Sequence, residues 1–207
     1  MAVRKSTASA RRRLPAEEAR ARILEAAERK LSAVGPEGLR LTDLASELGI
    51  SHPAILHHFG SREELMVAVI TRATTRLNAR LVEAIEGGAL ANSAILDMIA
   101  EFYGAEGNAR LLAWLVLSGR AARWRPRGSN ARPLQRLIDI AHAQRQQARP
   151  NTRIDYDDTK FRSQLTAFTL LGEAIFGDVI RRATGDERTE SSRDFRHRLA
   201  HFLGRRS

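Results

Sequence analysis

The stretch that decides the fold is LTDLASELGISHPAILHHFG, residues 41–60, because it predicts two short helices joined by a tight turn. Apolar residues recur three or four positions apart in 41–48 and again in 52–59, which is typical of amphipathic helices. Gly49 can adopt the left-handed conformation that ends a helix, and Ser51 is a favourable N-cap for the next one. The spacing therefore predicts a helix-turn-helix, a unit whose second helix enters the DNA major groove when it binds DNA.

Three of the six histidines of the chain lie in the second of these helices, which raises the question of a metal or catalytic site. Metal ligands on one helix face lie three or four residues apart. His52 and His57 are five residues apart, and His57 and His58 are adjacent, so no pair converges on one ion. The chain also lacks the H-E-x-x-H and Gly-x-Ser-x-Gly motifs. We therefore predict no metal, no cofactor and no catalytic residue, and we do not expect an enzyme.

The composition is that of a soluble globular protein with a strong basic excess. The 207 residues are 43% hydrophobic and 28% charged, and the net charge is +10. This charge favours an anionic partner, nucleic acid before a membrane surface. The chain has no cysteine, which excludes disulfides and thiol chemistry. No apolar run approaches the roughly 20 residues that span a bilayer, so we expect a cytoplasmic protein without a membrane partner.

Every periodic segment has helical spacing, and the sequence predicts an all-α fold of about nine helices. The predicted spans are 15–34, 41–48, 52–59, 62–86, 91–105, 108–122, 132–149, 156–184 and 191–204. We divide the chain into a disordered basic arm, residues 1–14, a helix-turn-helix domain, residues 15–62, and a C-terminal helical domain, residues 63–207. The arm contains Arg11, Arg12 and Arg13, and it is either a solubilising tail or an arm that reaches DNA.

Residues 20–70 closely resemble the DNA-binding domain of TetR-family transcriptional regulators. The resemblance is carried by RILEAA, GPEGL, DLASELGIS and AILHHFGSREEL, which are specific together although each is weak alone. It implies a homodimer that binds a palindromic operator in double-stranded DNA, most often as a repressor released by a small-molecule effector. The alternative is a DNA-binding or architectural protein that responds to no effector.

The same resemblance implies a set of DNA contacts around the turn and the second helix. His52 and Pro53 occupy the positions that face bases, one of His57 and His58 meets a phosphate, and Arg62 matches a usual phosphate-binding lysine. The complete set is Arg40, Thr42, Ser51, His52, Pro53, Ala54, Leu56, His57, His58 and Arg62.

Two positions depart from the family pattern. Leu56 replaces a tyrosine that hydrogen-bonds phosphate, and helical spacing predicts that its side chain points outward with His52, Pro53 and His57. Arg40 replaces the usual Ser or Thr cap of the preceding helix, at a cost of roughly 1 kcal/mol. We expect Arg40 to recover some of the phosphate affinity that Leu56 cannot provide.

The C-terminal domain is expected to bind the effector and to form the dimer. The apolar stripes of its last two helices predict the dimer interface, although the same stripes could pack on their own core. The interface residues are Phe161, Leu165, Phe168, Gly172, Ile175, Phe176, Val179, Phe195, Leu199 and Phe202. The few polar residues on the inner faces indicate a mostly apolar effector. The candidate pocket residues, each of which could be ordinary core, are Met98, Phe102, Tyr103, Trp114, His142 and Phe168.

Overall fold

The computed structural model describes residues 15–87, 93–104, 107–120, 133–185 and 192–204. Within these residues all regular structure is helical, which confirms the predicted all-α fold of about nine helices. The elements are α1 Ala16–Gly38, α2 Leu41–Leu48, α3 His52–Phe59, α4 Arg62–Glu86, α5 Ser93–Tyr103, α6 Asn108–Leu117, α7 Pro133–Gln147, α8 Tyr156–Thr184 and α9 Ser192–Gly204. The predicted basic arm, residues 1–14, lies outside the described residues.

Helix α1 contains a break at the Gly35-Pro36 pair. Gly35 adopts φ 74° and ψ 176°, a conformation that strains any residue with a Cβ, and the helix resumes for a last turn to Gly38. A Cβ on Gly35 would also meet the guanidinium of Arg110. The predicted stop at Gly35 is therefore correct as a break, but the helical turn beyond it was missed.

Helices α2 and α3 have the predicted bounds. Gly49 adopts φ 64° after α2, and the amide of Ile50 donates to the carbonyl of Ala45 at 3.0 Å, which closes the turn. The Ser51 hydroxyl accepts from the amide of Ala54 at 3.3 Å and caps α3. Arg40 gives α2 no side-chain cap, as its replacement of Ser or Thr predicts.

Helix α4 is shared by the two halves of the molecule. Its cap is the hydroxyl of Ser61, which accepts from the amide of Glu64 at 3.1 Å. At 1.5 Å per residue, its 25 residues extend over about 37 Å. It contacts α1 and α3 as well as α5, α6 and α7. Its buried stripe consists of Leu65, Met66, Val69, Ile70, Ala73, Leu77, Leu81 and Ile85. The main core is consequently continuous from α1 to α7.

The C-terminal helices add a second, smaller core. Leu96 of α5, Leu170 of α8 and Leu199 of α9 pack together there. Helix α6 ends at Leu117, earlier than the predicted residue 122, because Gly119 turns into the left-handed conformation with φ 70°. In the part of the chain that the structure describes, no helix has the length and apolarity needed to span a membrane.

Candidate nucleic-acid interface

Helix α3 has one face in the core and one face in solvent. Ile55 is fully buried and Phe59 nearly so, and both pack on the main core. His52, Pro53 and His57 are exposed on the other side. Because Ser51 caps the helix and no acidic residue lies in its first turn, the exposed start of α3 presents a surface that an anionic groove can approach.

Leu56 corrects one expectation from the sequence. The side chain was predicted to point outward, but it is half-buried and packs against the main core. Its apolar character is thus explained by packing. Ala54 is also half-buried, whereas Thr42 is exposed and its hydroxyl donates to the Asp43 carboxylate at 3.3 Å.

The adjacent histidines have different surroundings. His57 is exposed, whereas His58 is half-buried and its ring centroid lies 6.5 Å from that of Phe59. The two imidazoles are 5.7 Å apart in an edge-to-face arrangement. Among the described residues, no group of three His, Asp or Glu side chains is placed to hold a metal ion. The phosphate contact assigned to one of this pair stays a prediction, and the exposure of His57 makes it the better candidate.

Arg20 was not identified from the sequence. Its guanidinium carbon lies 4.7 Å from the centroid of the Phe59 ring, so α1 contributes a cation to the C-terminal end of α3. Nothing in the local pattern of α1 distinguishes this arginine from its neighbour Arg22, because the contact depends on how α1 packs against α3.

Arg62 has a different environment from the one its family position implies. Its side chain is only 26% exposed. Its Nε donates to the carbonyl of Leu39 at 2.7 Å, and a terminal nitrogen donates to the carbonyl of Pro36. A phosphate contact by this guanidinium would require it to leave two backbone acceptors.

The basic charge is distributed unevenly along the chain. Residues 1–14 contain five basic residues and no acidic one, whereas residues 15–62 contain six basic and seven acidic residues. Glu47 also pairs with Arg29 at 3.0 Å and with Lys30 at 3.3 Å, and hydrogen bonds from these two cations lower its pKa. The helix-turn-helix domain alone is therefore close to neutral. Arg40, exposed at the start of α2, is the cation nearest to the turn in sequence.

The six candidate effector residues have different surroundings. Phe168 is 70% exposed, which corrects its assignment to an interior pocket. Phe102 is buried and its ring lies 5.1 Å from that of Tyr103, while Met98 is half-buried against the same core. His142 is hydrogen-bonded through a ring nitrogen to the Thr159 hydroxyl at 3.3 Å. The ring of Trp114 contacts the guanidinium groups of Arg62 and Arg120.

Neither of two clefts formed by the described residues is lined by any of these six residues. One lies between α1, α4 and α6, has a volume of about 250 Å³ and includes Glu28, Arg76 and Asn108. The other lies between α5, α8 and α9, has a volume of about 380 Å³ and is lined largely by charged side chains. Pockets form from packing between distant helices, and no local pattern in this sequence indicates either one.

The candidate dimer residues divide into exposed and buried sets. Leu199 is buried in the second core, and Leu165, Gly172, Ile175 and Phe195 are half-buried. The strongly exposed members are Phe161 (62%), Phe168 (70%), Phe176 (56%), Val179 (56%) and Phe202 (63%). Ile180, which sequence reasoning did not include, is also exposed, at 57%.

The fold and this interface define an all-helical protein with an N-terminal helix-turn-helix. Residues 23–69 match the family model described as bacterial regulatory proteins, tetR family. The N-terminal region of the chain, from within α1 to within α4, is therefore similar to that of tetR-family regulatory proteins.

Individual proteins are similar to this chain over different extents. The "HTH-type transcriptional repressor Rv3405c" of Mycobacterium tuberculosis is 33% identical over 76 residues, which are 36% of this chain and 40% of that protein. The match thus spans less than half the length of the relative. The tetR-family transcriptional regulator from Streptomyces coelicolor has a similar structure, with a TM-score of 0.61 and 20% identity over 92% of this chain and 80% of the other. The multidrug binding protein EbrR, complexed with imidazole, gives a TM-score of 0.54 and 21% identity over 98% and 97% of the two chains.

Proposed function

We propose that this chain is a sequence-specific DNA-binding regulator that acts as a homodimer on a palindromic operator in the cytoplasm. The observation that carries the proposal is the two-sided α3, with Ile55 and Phe59 in the core and His52, Pro53 and His57 in solvent at its capped N-terminal end. In helix-turn-helix complexes, the first residues of the recognition helix lie nearest the base edges. His52 can donate to or accept from a base edge, and the ring of Pro53 can contact a thymine methyl group.

The phosphate contacts have to come from several parts of the chain. The near-neutral helix-turn-helix domain provides few free cations, so Arg40, His57 and the basic arm are the proposed sources. The five basic residues within 1–14 favour an arm that reaches DNA rather than a solubilising tail. Removing residues 1–13 is then expected to reduce the dependence of affinity on salt by several units, whereas an unchanged dependence identifies a tail.

The exposed face of α8 and α9 supports dimerisation. Six apolar side chains of these helices are more than half exposed, and three of them are phenylalanines spaced seven or eight residues apart along α8. A phenylalanine buries 150–250 Å² when covered, so leaving several in water is costly for a monomer. Two copies that cover this face would bring two recognition helices to half-sites spaced about 34–36 Å apart.

Release by a small-molecule effector is the remaining part of the proposal. EbrR, which is similar in fold, was solved with imidazole, and α4 joins the recognition unit to the C-terminal helices in this chain. A ligand that fits one arrangement of the C-terminal helices better would tilt α4 and change the separation of the recognition helices. We propose a repressor, since a ligand that lowers operator affinity then switches transcription on.

None of the six candidate pocket residues lines either of the two clefts, and this favours a second candidate, a DNA-binding protein that responds to no effector. A thermal-shift screen of the full chain against metabolites and drugs distinguishes the two. A compound that raises the melting temperature and lowers operator affinity supports the effector-released repressor. A screen without any stabilising compound favours the second candidate.

The decisive experiment for DNA recognition is selection of bound duplexes from a random pool by the full chain. Enrichment of an inverted repeat with half-sites one helical turn apart is the expected result. His52→Ala should then lose discrimination at one symmetric pair of positions, by about 1–3 kcal/mol per site. A pool without enrichment after several rounds would contradict sequence-specific binding.

A further inference from the structure

The Arg62 side chain connects the two ends of the helix-turn-helix. Arg62 follows α3 by three positions, and its guanidinium reaches back to the segment that precedes α2, where it donates to the carbonyls of Leu39 and Pro36. The helix-turn-helix, residues 41–59, lies in sequence between these acceptors and Arg62. We call this set of contacts, between Arg62 and the two carbonyls, the Arg62 clasp.

The clasp satisfies the guanidinium inside the protein. Pro36 and Leu39 are both buried, and buried carbonyls require a donor. The remaining terminal nitrogen of Arg62 lies 3.8 Å from a carboxylate oxygen of Glu63. The acceptors also lie in the last turn of α1 and just after it, where the helix dipole favours a positive charge. A forked contact to phosphate is therefore not the geometry that this side chain adopts.

Trp114, in the C-terminal half of the molecule, contacts the Arg62 clasp through its aromatic ring. Trp114 of α6 lies with its ring centroid 5.6 Å from the guanidinium carbon of Arg62, and Arg120 lies over the same ring at 5.1 Å. Trp114 is half-buried and packs on the main core. Tryptophan is the best aromatic partner for a cation–π contact, and arginine is the more frequent cation. The position of α6 is thereby linked to the ends of the recognition unit.

We infer that Arg62 is a positioning residue for DNA recognition and that Trp114 transmits the position of α6 to it. The clasp fixes the segment that enters α2, and α2 carries α3 through the Gly49 turn. The inference rests on the proposed DNA-binding function, but it gives Arg62 a role other than the phosphate contact that the family resemblance implies. Positioning and phosphate contact predict different salt dependences, because only a lost phosphate contact changes the number of counterions released.

The test measures the affinity of the full chain for its selected duplex at several salt concentrations. Arg62→Gln is expected to lower affinity about tenfold or more, the effect of losing hydrogen bonds from a charged donor, with the salt slope unchanged. The matched control is Arg40→Ala, whose slope should fall by about 1 as for a phosphate-binding cation. A fall of about 1 in the slope of Arg62→Gln would overturn the inference.

The tryptophan arm of the test uses a double-mutant cycle. Trp114→Leu is expected to lower operator affinity in the same direction as Arg62→Gln, and the double variant should be no weaker than Arg62→Gln alone. Trp114→Phe keeps an aromatic face and should lose less than Trp114→Leu. Fully additive losses would show that Trp114 does not act through Arg62 and would overturn the transmission step.

A measurement without DNA separates the clasp from the proposed function. Hydrogen exchange on the full chain should show faster exchange of the amides in 36–48 in Arg62→Gln, with α8 as an unchanged internal reference. Unchanged exchange in 36–48 would overturn the clasp. If the wild type selects no duplex, the proposed function fails and the exchange result alone decides whether the clasp exists. Should Arg62→Gln fail to fold, Arg62→Lys replaces it, with a smaller loss of affinity at the same slope expected.

Discussion

The proposed recognition helix α3 and the long helix α8 both present one face to water, but those faces differ in chemistry. Helix α3 exposes histidines and a proline while its apolar residues Ile55 and Phe59 are covered by its own domain. Helix α8 exposes Phe161, Phe168 and Phe176, and its buried residues are only Thr159, Leu170 and Gly177. The comparison shows that the exposed face of α3 is polar while its apolar residues are covered, whereas α8 leaves large apolar side chains exposed.

The largest expected effect comes from charging the α8 face. Phe168→Glu with Phe176→Glu should convert the proposed dimer into a monomer and lower operator affinity at least a hundredfold, because a monomer binds one half-site. Size-exclusion chromatography with light scattering measures the mass. The control is Phe161→Tyr, which keeps most of the apolar ring and should remain dimeric. A double variant that stays dimeric would show that the exposed face is not the interface.

Removing a covered residue of α3 should cost stability, and removing an exposed one should not. Ile55→Ala is expected to lower the free energy of unfolding by about 2–5 kcal/mol, the range for a buried aliphatic side chain. His57→Ala, two positions along the same helix, should change it by less than about 0.5 kcal/mol. Urea unfolding followed by circular dichroism measures both. Equal losses would mean that α3 is covered on both faces and is not available to DNA.

The N-caps of the two short helices permit a test with smaller effects on stability, one substitution being destabilising and the other stabilising. Ser51→Ala removes the side-chain acceptor at the start of α3 and should destabilise the protein by roughly 1 kcal/mol. Arg40→Ser restores the missing acceptor before α2 and should stabilise it by a similar amount while weakening DNA binding. Thermal unfolding and operator affinity are measured on both variants. A stability loss in Arg40→Ser would show that Arg40 contributes contacts beyond its cap position.

The difference between local and distant interactions explains which features could be predicted from the sequence. The bounds of α2, α3 and α4 followed from Gly49, Ser51 and Ser61, whose turn and cap chemistry acts over three or four residues. The inward rotation of Leu56 and the contact of Arg20 with Phe59 did not follow, since both depend on packing between helices.

The C-terminal half shows this limit most clearly. Helical periodicity identified α8 and its apolar stripe, but periodicity does not reveal which helix covers a stripe. Phe168 was accordingly assigned both to a pocket and to an interface, and only its exposure decides against the pocket. The commitment of Arg62 to the carbonyls of Pro36 and Leu39 was also missed, because no spacing rule relates residues 23 and 26 positions apart.

The smallest expected effects on stability come from ion pairs, and we compare one in each half of the chain. Asp158 is partly desolvated, which raises its pKa, but hydrogen bonds from Arg145 and Arg162 outweigh this and leave the pKa below the usual value. The Arg145 contact, 2.8 Å long, joins α7 to α8, whereas the Arg162 contact, 2.9 Å long, lies within α8. A carboxylate whose folded pKa is lowered contributes stability that is present above its unfolded pKa and lost as the pH falls through the folded pKa.

Asp158→Asn should therefore reduce stability at pH 7, and its difference from wild type should shrink as the pH falls below about 4, the unfolded pKa of an aspartate. Glu47→Gln is the comparison in the helix-turn-helix domain. The pKa of Glu47 is likewise lowered by Arg29 and Lys30. This pair is more exposed and screened by water, so its removal should be near the limit of detection. Unfolding free energies of both variants between pH 3 and 7 provide the test. If Glu47→Gln lost as much unfolding free energy as Asp158→Asn, the ion pair between two C-terminal helices would contribute no more stability than an exposed ion pair.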